Sequence, residues 1–441
     1  MRALVIIACM SGAAACVKGN PIDYGTFSGT GGTIAIDGCN YSVTTQIGAE
    51  APKLSSDAFG TDPTPMQIHL SLMADPKTSV VAQWRTNDET TLSAHIRYAV
   101  GANLTPDALT TVVSGIEFGF RAGGTDGMQH IFTVHQAHLC NLSPGTTYSY
   151  QVGGHDPFTN TDHWSDVFTF HTAPDTTANP DAEVQLGFVG DSRGGYDIWQ
   201  QLVTLIAARA PDLVLYSGDA VTLGLEQFEW DEFFTGGQQL FAQVPMVYAE
   251  GNHEANAVNF FSQVALPGDQ QNYGVDYGYA HITVINDSPG QPDDLAGATK
   301  DAMQQDFAAS ASARWKILMH HQPMYSASTM HGSNLMLQQL WQPIVDQYGV
   351  DLVLNGHDHD YEVSFPLLGQ AVQPTNATGT VYVVAGGAGA ELYQNGMGFW
   401  TDYSESTYSA AMIDVRRDQM TMNAFRQDGT AIPVGFSKTK Q

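Results

Sequence analysis

The sequence predicts a multidomain chain, an all-β part followed by an α/β part. Two observations carry this. Residues 63–174 alternate apolar and polar side chains over short runs broken by turn residues. From residue 183 onward, wholly apolar runs alternate with segments of helical spacing. A chain of 441 residues has room for two or three domains, and 43% hydrophobic residues suffice for sizeable cores.

In the first part, "TSVVAQWRT" alternates and carries Trp84, and "AHIRYAV" alternates around Tyr98. "GMQHIFTVHQAHL" reads as a further strand, followed by the turn-bearing "LSPGTTYSYQVGG" and by "DVFTFHTAP". Short strands, regular turns and a Trp suited to burial fit an immunoglobulin-like β-sandwich. Eight of the 15 histidines lie here, at 69, 95, 130, 135, 138, 155, 163 and 171. Those on strands are expected to face solvent, and none is assigned as a ligand.

The N-terminal "MRALVIIACMSGAAACVKGN" has Arg2, an apolar run and small residues, which read as a signal peptide over residues 1–20. Cys16 after Ala13-Ala14-Ala15 resembles a bacterial lipoprotein cleavage site; plain cleavage nearby is the alternative. The expected location is therefore the cell envelope or the medium, with membrane contact only through a lipid on Cys16. Residues 21–62 read as an irregular extension or linker. Cys39 and Cys140 form an even pair in an exported chain, which suggests a disulfide. The formal net charge of −28 argues against nucleic-acid binding, which needs a basic footprint.

In the second part, over residues 183–430, "VQLGFVGD" and "PDLVLYSGD" are apolar strands. "YDIWQQLVTLIAARA", "LEQFEWDEFF" and "SNLMLQQLWQPIVDQYG" have helical spacing. "QVPMVYAEGNHE", "HITVINDS", "WKILMHH", "VDLVLNGHDHD" and "VYVVAGGAGA" supply more strands, and "AAMIDVRRDQMTMNAFRQDG" a closing hairpin. Apolar strands interleaved with helices predict a largely parallel sheet covered on both faces. In such sheets, chemistry gathers at the carboxyl ends of the strands.

The polar residues at those ends are Asp191, Asp219, Asn252, His253, His320, His321, His357 and His359. All are oxygen or imidazole donors, a set suited to Zn, Mn or Fe rather than a soft metal. His357 and His359 alternate on one face of an extended chain, as two ligands of adjacent metals would.

The order D…GD…GNHE…H…GHxH resembles the calcineurin-like metallophosphoesterases. The preceding sandwich, with "LSPGTTYSYQV" similar to fibronectin type III domains and "PTPMQIHLSL" at its start, resembles the purple acid phosphatases. The resemblance implies a fibronectin-like domain at 63–174 and an α/β sandwich of two packed sheets flanked by helices at 183–430. It implies a dinuclear centre of Fe, Zn or Mn and attack on a small phosphate monoester by metal-bound hydroxide. Carried over by motif, Asp219 bridges the metals, Asp191 and His359 bind the first, and Asn252, His320 and His357 bind the second. Register favours His320 over His321, which is left with Arg193 to face substrate phosphate. His253 acts as general acid and His331, in "TMHGSN", as a second substrate-contacting histidine. Glu254, Asp358 and Asp360 are placed to orient imidazoles.

The chain departs from the family twice. The tyrosine of GDxxY is Thr222 in "GDAVT", and the histidine of DxH is Arg193 in "DSR". The first metal therefore lacks a fourth protein ligand by either scheme, and purple colour is not expected. Two competing readings remain: a phosphodiesterase of the same fold, and a surface binding lipoprotein with a decayed site.

Overall fold

"TSVVAQWRT" becomes the strand Val80–Thr86 in the computed structural model, paired antiparallel with Met66–Ser71 and Gln129–Leu139. The structure describes residues 32–45, 49–50, 60–87, 93–124, 127–156, 159–289, 291–375 and 378–441. The expected signal peptide, Cys16 and much of the expected extension lie outside them. Within the extension, "GTIA" and "SVTT" form a short antiparallel hairpin, Gly32–Ala35 with Ser42–Thr45, where an irregular segment was expected. β-branched Thr, Ile and Val suit these strands. Cys39 and Cys140 are joined in a disulfide that ties this hairpin to the sandwich.

The second sheet of the sandwich centres on Thr147–Asp156, paired with His95–Val100, Thr161–Trp164 and Phe168–His171. Trp84, Ile68, Ile96, Tyr150 and Phe170 pack between the two sheets. Three of the strand histidines do not face solvent as expected: His69, His135 and His138 are buried, whereas His171 is exposed. His135 stacks on Trp84, with ring centroids 5.4 Å apart. His138 accepts or donates at Tyr41 Oη, 2.9 Å away, under the N-terminal hairpin. His69 stacks on Phe234 of the second domain and meets the Gln263 carbonyl at 2.6 Å. The physical reason is that the outer face of this sheet is itself covered, so alternation moves a side chain between two interiors.

In the second domain, Val184–Val189, Leu213–Tyr216 and Met246–Tyr248 run parallel, flanked by the antiparallel strands Ser409–Val415, Gln419–Arg426 and Phe436–Thr439. This sheet continues into the sandwich through a single bridge, Met246 to Ser71. A second sheet has parallel strands Ala280–Ile285, Trp315–Met319, Leu352–Asn355 and Val381–Ala385 at its centre. Phe188, Leu215 and Val247 of one sheet and Ile282, Ile317 and Leu354 of the other share one buried core. Helices Tyr196–Ala207 and Gln227–Phe241 pack on the first sheet; Trp199, Phe233 and Phe234 join that core. Helices Ala298–Ala309 and Leu335–Tyr348 cover the other, through Met303, Phe307 and Trp341 against Leu318 and Val353. Leu335–Tyr348 begins where Asn334 Oδ1 accepts from the Leu337 N–H and ends at Gly349 with φ 61°. No described helix is long and apolar enough to cross a membrane.

Candidate metal centre

Because the central strands of both sheets run parallel, their carboxyl ends meet along one edge, and the loops there carry the expected residues. Asp191, Asp219 and His357 all adopt left-handed backbone, with φ 64°, 57° and 70°. Such strain in non-glycine residues is concentrated at functional sites. Two glycines make room. A Cβ on Gly251 would lie 2.2 Å from Asp219 Oδ1, and one on Gly356 would lie 2.2 Å from Asp191 Oδ2. The carboxylates therefore sit directly against backbone.

Asp219 is the centre of the cluster. Its Oδ2 lies 3.1 Å from His321 Nε2, and its Oδ1 accepts the His253 N–H at 3.0 Å. Nε2 of His321 is also 3.2 Å from Asn252 Oδ1, while its Nδ1 donates to the Ser217 carbonyl at 2.7 Å. That second bond orients the ring so that Nε2 faces the cluster. One donor atom each from Asp219, His321 and His357 lies within 4.8 Å of the others. These donors fit a divalent cation: a carboxylate and two imidazoles of borderline character, converging from different loops.

The structure corrects the choice between the adjacent histidines. His320 is fully buried, pairs through Nδ1 with Asp287 Oδ2 at 3.0 Å, and packs edge-on against Trp341. It points toward the helix-covered side, away from Asp219. Strand alternation explains this. Ile317 and Met319 face the core between the sheets, and His321 follows their parity. Leu318 faces the helices, and His320 follows it.

Electrostatics reflect the crowding. Burial resists ionisation of Asp219, but His321 and His253 beside it overcome this and hold the carboxyl low. Burial pushes Asp191 well up, and neighbouring Asp219 adds to that. His357 is lowered to about 2 by burial and by His321, so it is a neutral imidazole available as a ligand. His359 is lowered to about 4, again chiefly by burial.

The remaining expected residues lie around this core. His253 directs Nδ1 to the Thr222 carbonyl at 2.7 Å, leaving Nε2 3.8 Å from Asp219 Oδ2 and partly exposed. His331 stacks on His357 with centroids 4.4 Å apart and places Nδ1 3.3 Å from Asp358 Oδ1. Asp191 accepts the His357 N–H on both oxygens, at 2.9 and 3.0 Å. His359 donates Nδ1–H to the Glu391 carbonyl at 2.7 Å and stacks on Tyr393. Arg193 turns inward, with Nε 3.7 Å from Asp219 Oδ2 and Nη2 3.5 Å from His359 Nε2.

Of the acidic residues expected to orient imidazoles, only Asp358 meets one. Glu254 instead holds backbone: its oxygens accept from the N–H groups of Asp219, Ala220 and Gly251 at 2.8–3.0 Å and from Tyr248 Oη at 2.7 Å. Burial pushes Asp360 up to about 8, so it is a neutral acid at pH 7. Asp287 and the Ser217 carbonyl were not anticipated. Asp287 stands in "VINDS", at another strand end, which was the available signal.

Residues 184–361 match the model of the calcineurin-like phosphoesterases, and residues 65–172 match that of the purple acid phosphatase N-terminal domain. The chain is 24% identical over 397 residues to purple acid phosphatase 15 of Arabidopsis thaliana, covering 77% of this chain and 70% of the relative. It is 27% identical over 382 residues to mouse (Mus musculus) acid phosphatase type 7, covering 74% and 78%. Purple acid phosphatase PPD1 from yellow lupin (Lupinus luteus) shares the fold, with a TM-score of 0.71 at 17% identity over 86% of this chain and 74% of that one. Domain pairing, fold and relatives agree: the chain carries a calcineurin-like phosphoesterase domain behind a purple acid phosphatase N-terminal domain, the arrangement of the purple acid phosphatases it resembles.

Proposed function

We propose that the chain is an exported, metal-dependent phosphatase that hydrolyses small phosphate monoesters. The observation that carries this reading is the convergence of Asp219, His321 and His357 beside a partly exposed His253. Asp219, His321 and His357, with Asn252 at the exposed side, would hold the cation. When bound, it supplies Lewis acidity to a phosphoryl oxygen and lowers the pKa of water.

The chain's own residues supply the rest. The Thr222 carbonyl keeps the proton of His253 on Nδ1, so Nε2 is the atom that faces the substrate. A second proton on Nε2 can pass to the leaving oxygen, and such general acid catalysis typically contributes about 10²–10⁴-fold. Asp219 Oδ2, 3.8 Å away, stabilises that charged ring. His331, stacked on His357, stands where it can contact the substrate from the other side.

The test is hydrolysis of an aryl phosphomonoester by chelator-stripped protein with Zn, Mn or Fe added back, beside the matching diester. Metal-restored turnover that favours the monoester supports the reading. Faster diester cleavage would make the chain a diesterase, and no turnover with any metal would favour the decayed site. Export to the envelope or medium, with or without a lipid on Cys16, is part of the proposal; mass spectrometry of the mature N-terminus decides it.

A further inference from the structure

The two-cation centre expected from the family does not fit this chain at the first position. We propose that the guanidinium of Arg193 stands in place of the first cation, so that the centre holds one metal ion and one fixed organic cation. The inference rests on the phosphatase reading of the same site and goes beyond it.

Three observations converge. First, Arg193 lies among the groups that would bind the first metal: Nε is 3.7 Å from Asp219 Oδ2, and Nη2 is 3.5 Å from His359 Nε2. His359 has its Nδ1 proton on the Glu391 carbonyl, so its one free lone pair is the one that meets Nη2. A metal would need that same lone pair at about 2.0–2.1 Å. Second, the side chains that could complete a first site are absent or engaged. Thr222 stands at the tyrosine position, and Tyr216 Oη is bonded to Ser192 Oγ at 2.7 Å. Third, His359 Nε2 lies 3.7 Å from Asp191 Oδ1, but Asp219 does not join them in one convergent set of donors. Among the described residues, the only such group is Asp219, His321 and His357.

The substitution is chemically coherent. A guanidinium keeps its charge throughout the working pH range and neutralises a carboxylate with directed N–H groups. It carries one charge where a metal carries two or three, so it balances a weaker ligand set. Nε–H of Arg193 makes no hydrogen bond within the protein and the side chain is 21% exposed, so the guanidinium can turn an N–H toward a phosphoryl oxygen beside Asp219. Phosphate would then be held between a metal on the His321 side and an arginine on the His359 side.

The test is metal stoichiometry. Chelator-stripped full-length protein is loaded with Mn(II), freed of excess metal, and measured by elemental analysis and electron paramagnetic resonance. The native protein should hold one Mn(II) per chain, with the spectrum of an isolated ion. Arg193→His, which restores an imidazole and removes the charge, should hold two ions with an exchange-coupled spectrum. Arg193→Lys, which keeps a cation there, should stay at one. Two ions in the native protein would overturn the proposal while leaving the phosphatase reading intact. One ion in both native and Arg193→His proteins, or two in Arg193→Lys, would show that the charge on Arg193 is not what excludes the second metal. No bound ion in the native protein would overturn both readings.

Discussion

His321 faces Asp219 because it shares the strand face of Ile317 and Met319, while His320 shares that of Leu318 and lies on Trp341. The two neighbours should therefore fail differently when replaced. His321→Ala should lose bound metal and lower turnover by about 10²-fold or more, since it removes a proposed ligand. His320→Ala should keep its metal but lose about 2–4 kcal/mol of stability, through a cavity beside Trp341 and the loss of the imidazole partner of buried Asp287, which keeps the Gln322 N–H. Metal analysis and thermal melts of both variants check this; metal loss in His320→Ala alone would reverse the assignment. The pair could not be separated in the sequence because "WKILM" is apolar on both faces, so its alternation carries no contrast. Asp191, Asp219, Asn252, His357 and His359 were legible, since each follows an apolar strand at a turn. The inward bend of Arg193 was not, since it depends on contacts from the distant His359.

Most strands and three helices of the second domain were legible from their periodicity, and their parallel order placed the site at one edge; the helix Ala298–Ala309 and the strand Phe436–Thr439 were not read. The coverage of the sandwich's outer sheet was not, because no local pattern reveals which remote element will lie on it. One pairing between elements makes a pH-dependent prediction. His281, on the strand Ala280–Ile285, is held between Asp276 Oδ1 at 2.7 Å and Asp306 Oδ2 at 2.8 Å, the latter from the helix Ala298–Ala309. Burial opposes its protonation, but these carboxylates outweigh it and push the pKa up to about 9. The folded value lies above the unfolded one. The stabilisation is thus full below about pH 6.5 and is lost as pH rises through about 9. Asp306→Asn should cost on the order of 2 kcal/mol near pH 6. The gap in melting temperature from the native protein should close by about pH 9.5. A gap that stays constant with pH would contradict this pairing.

The two domains are joined by buried polar contacts as well as by the Met246–Ser71 bridge. Arg85, nearly fully buried, pairs with Asp231; Tyr150 Oη donates to the Ala242 carbonyl at 2.6 Å; and the Ala265 N–H donates to Gln83 Oε1 at 2.6 Å. Removing one partner of a fully buried ion pair costs about 3–5 kcal/mol, and this pair less, since Asp231 is 26% exposed and Arg85 keeps its bond to Asn87 Oδ1. Calorimetry should therefore show one unfolding transition for the native protein. Asp231→Ala, which removes the carboxylate partner of buried Arg85, should lower it by several degrees, and two well-separated native transitions would contradict this coupling. The disulfide closes a separation of 101 residues. A loop of that length contributes about 4–5 kcal/mol in the chain-entropy account. Cys39→Ser with Cys140→Ser should accordingly lower the melting temperature without changing metal content; unchanged melting would show that the hairpin is held by other contacts.

The most direct measurement is a crystal structure of the Mn(II)-loaded protein with an anomalous difference map. The account predicts an anomalous peak bound by Asp219, His321 and His357, with Arg193 over the His359 side. A peak on His320, or none beside Asp219, would contradict it.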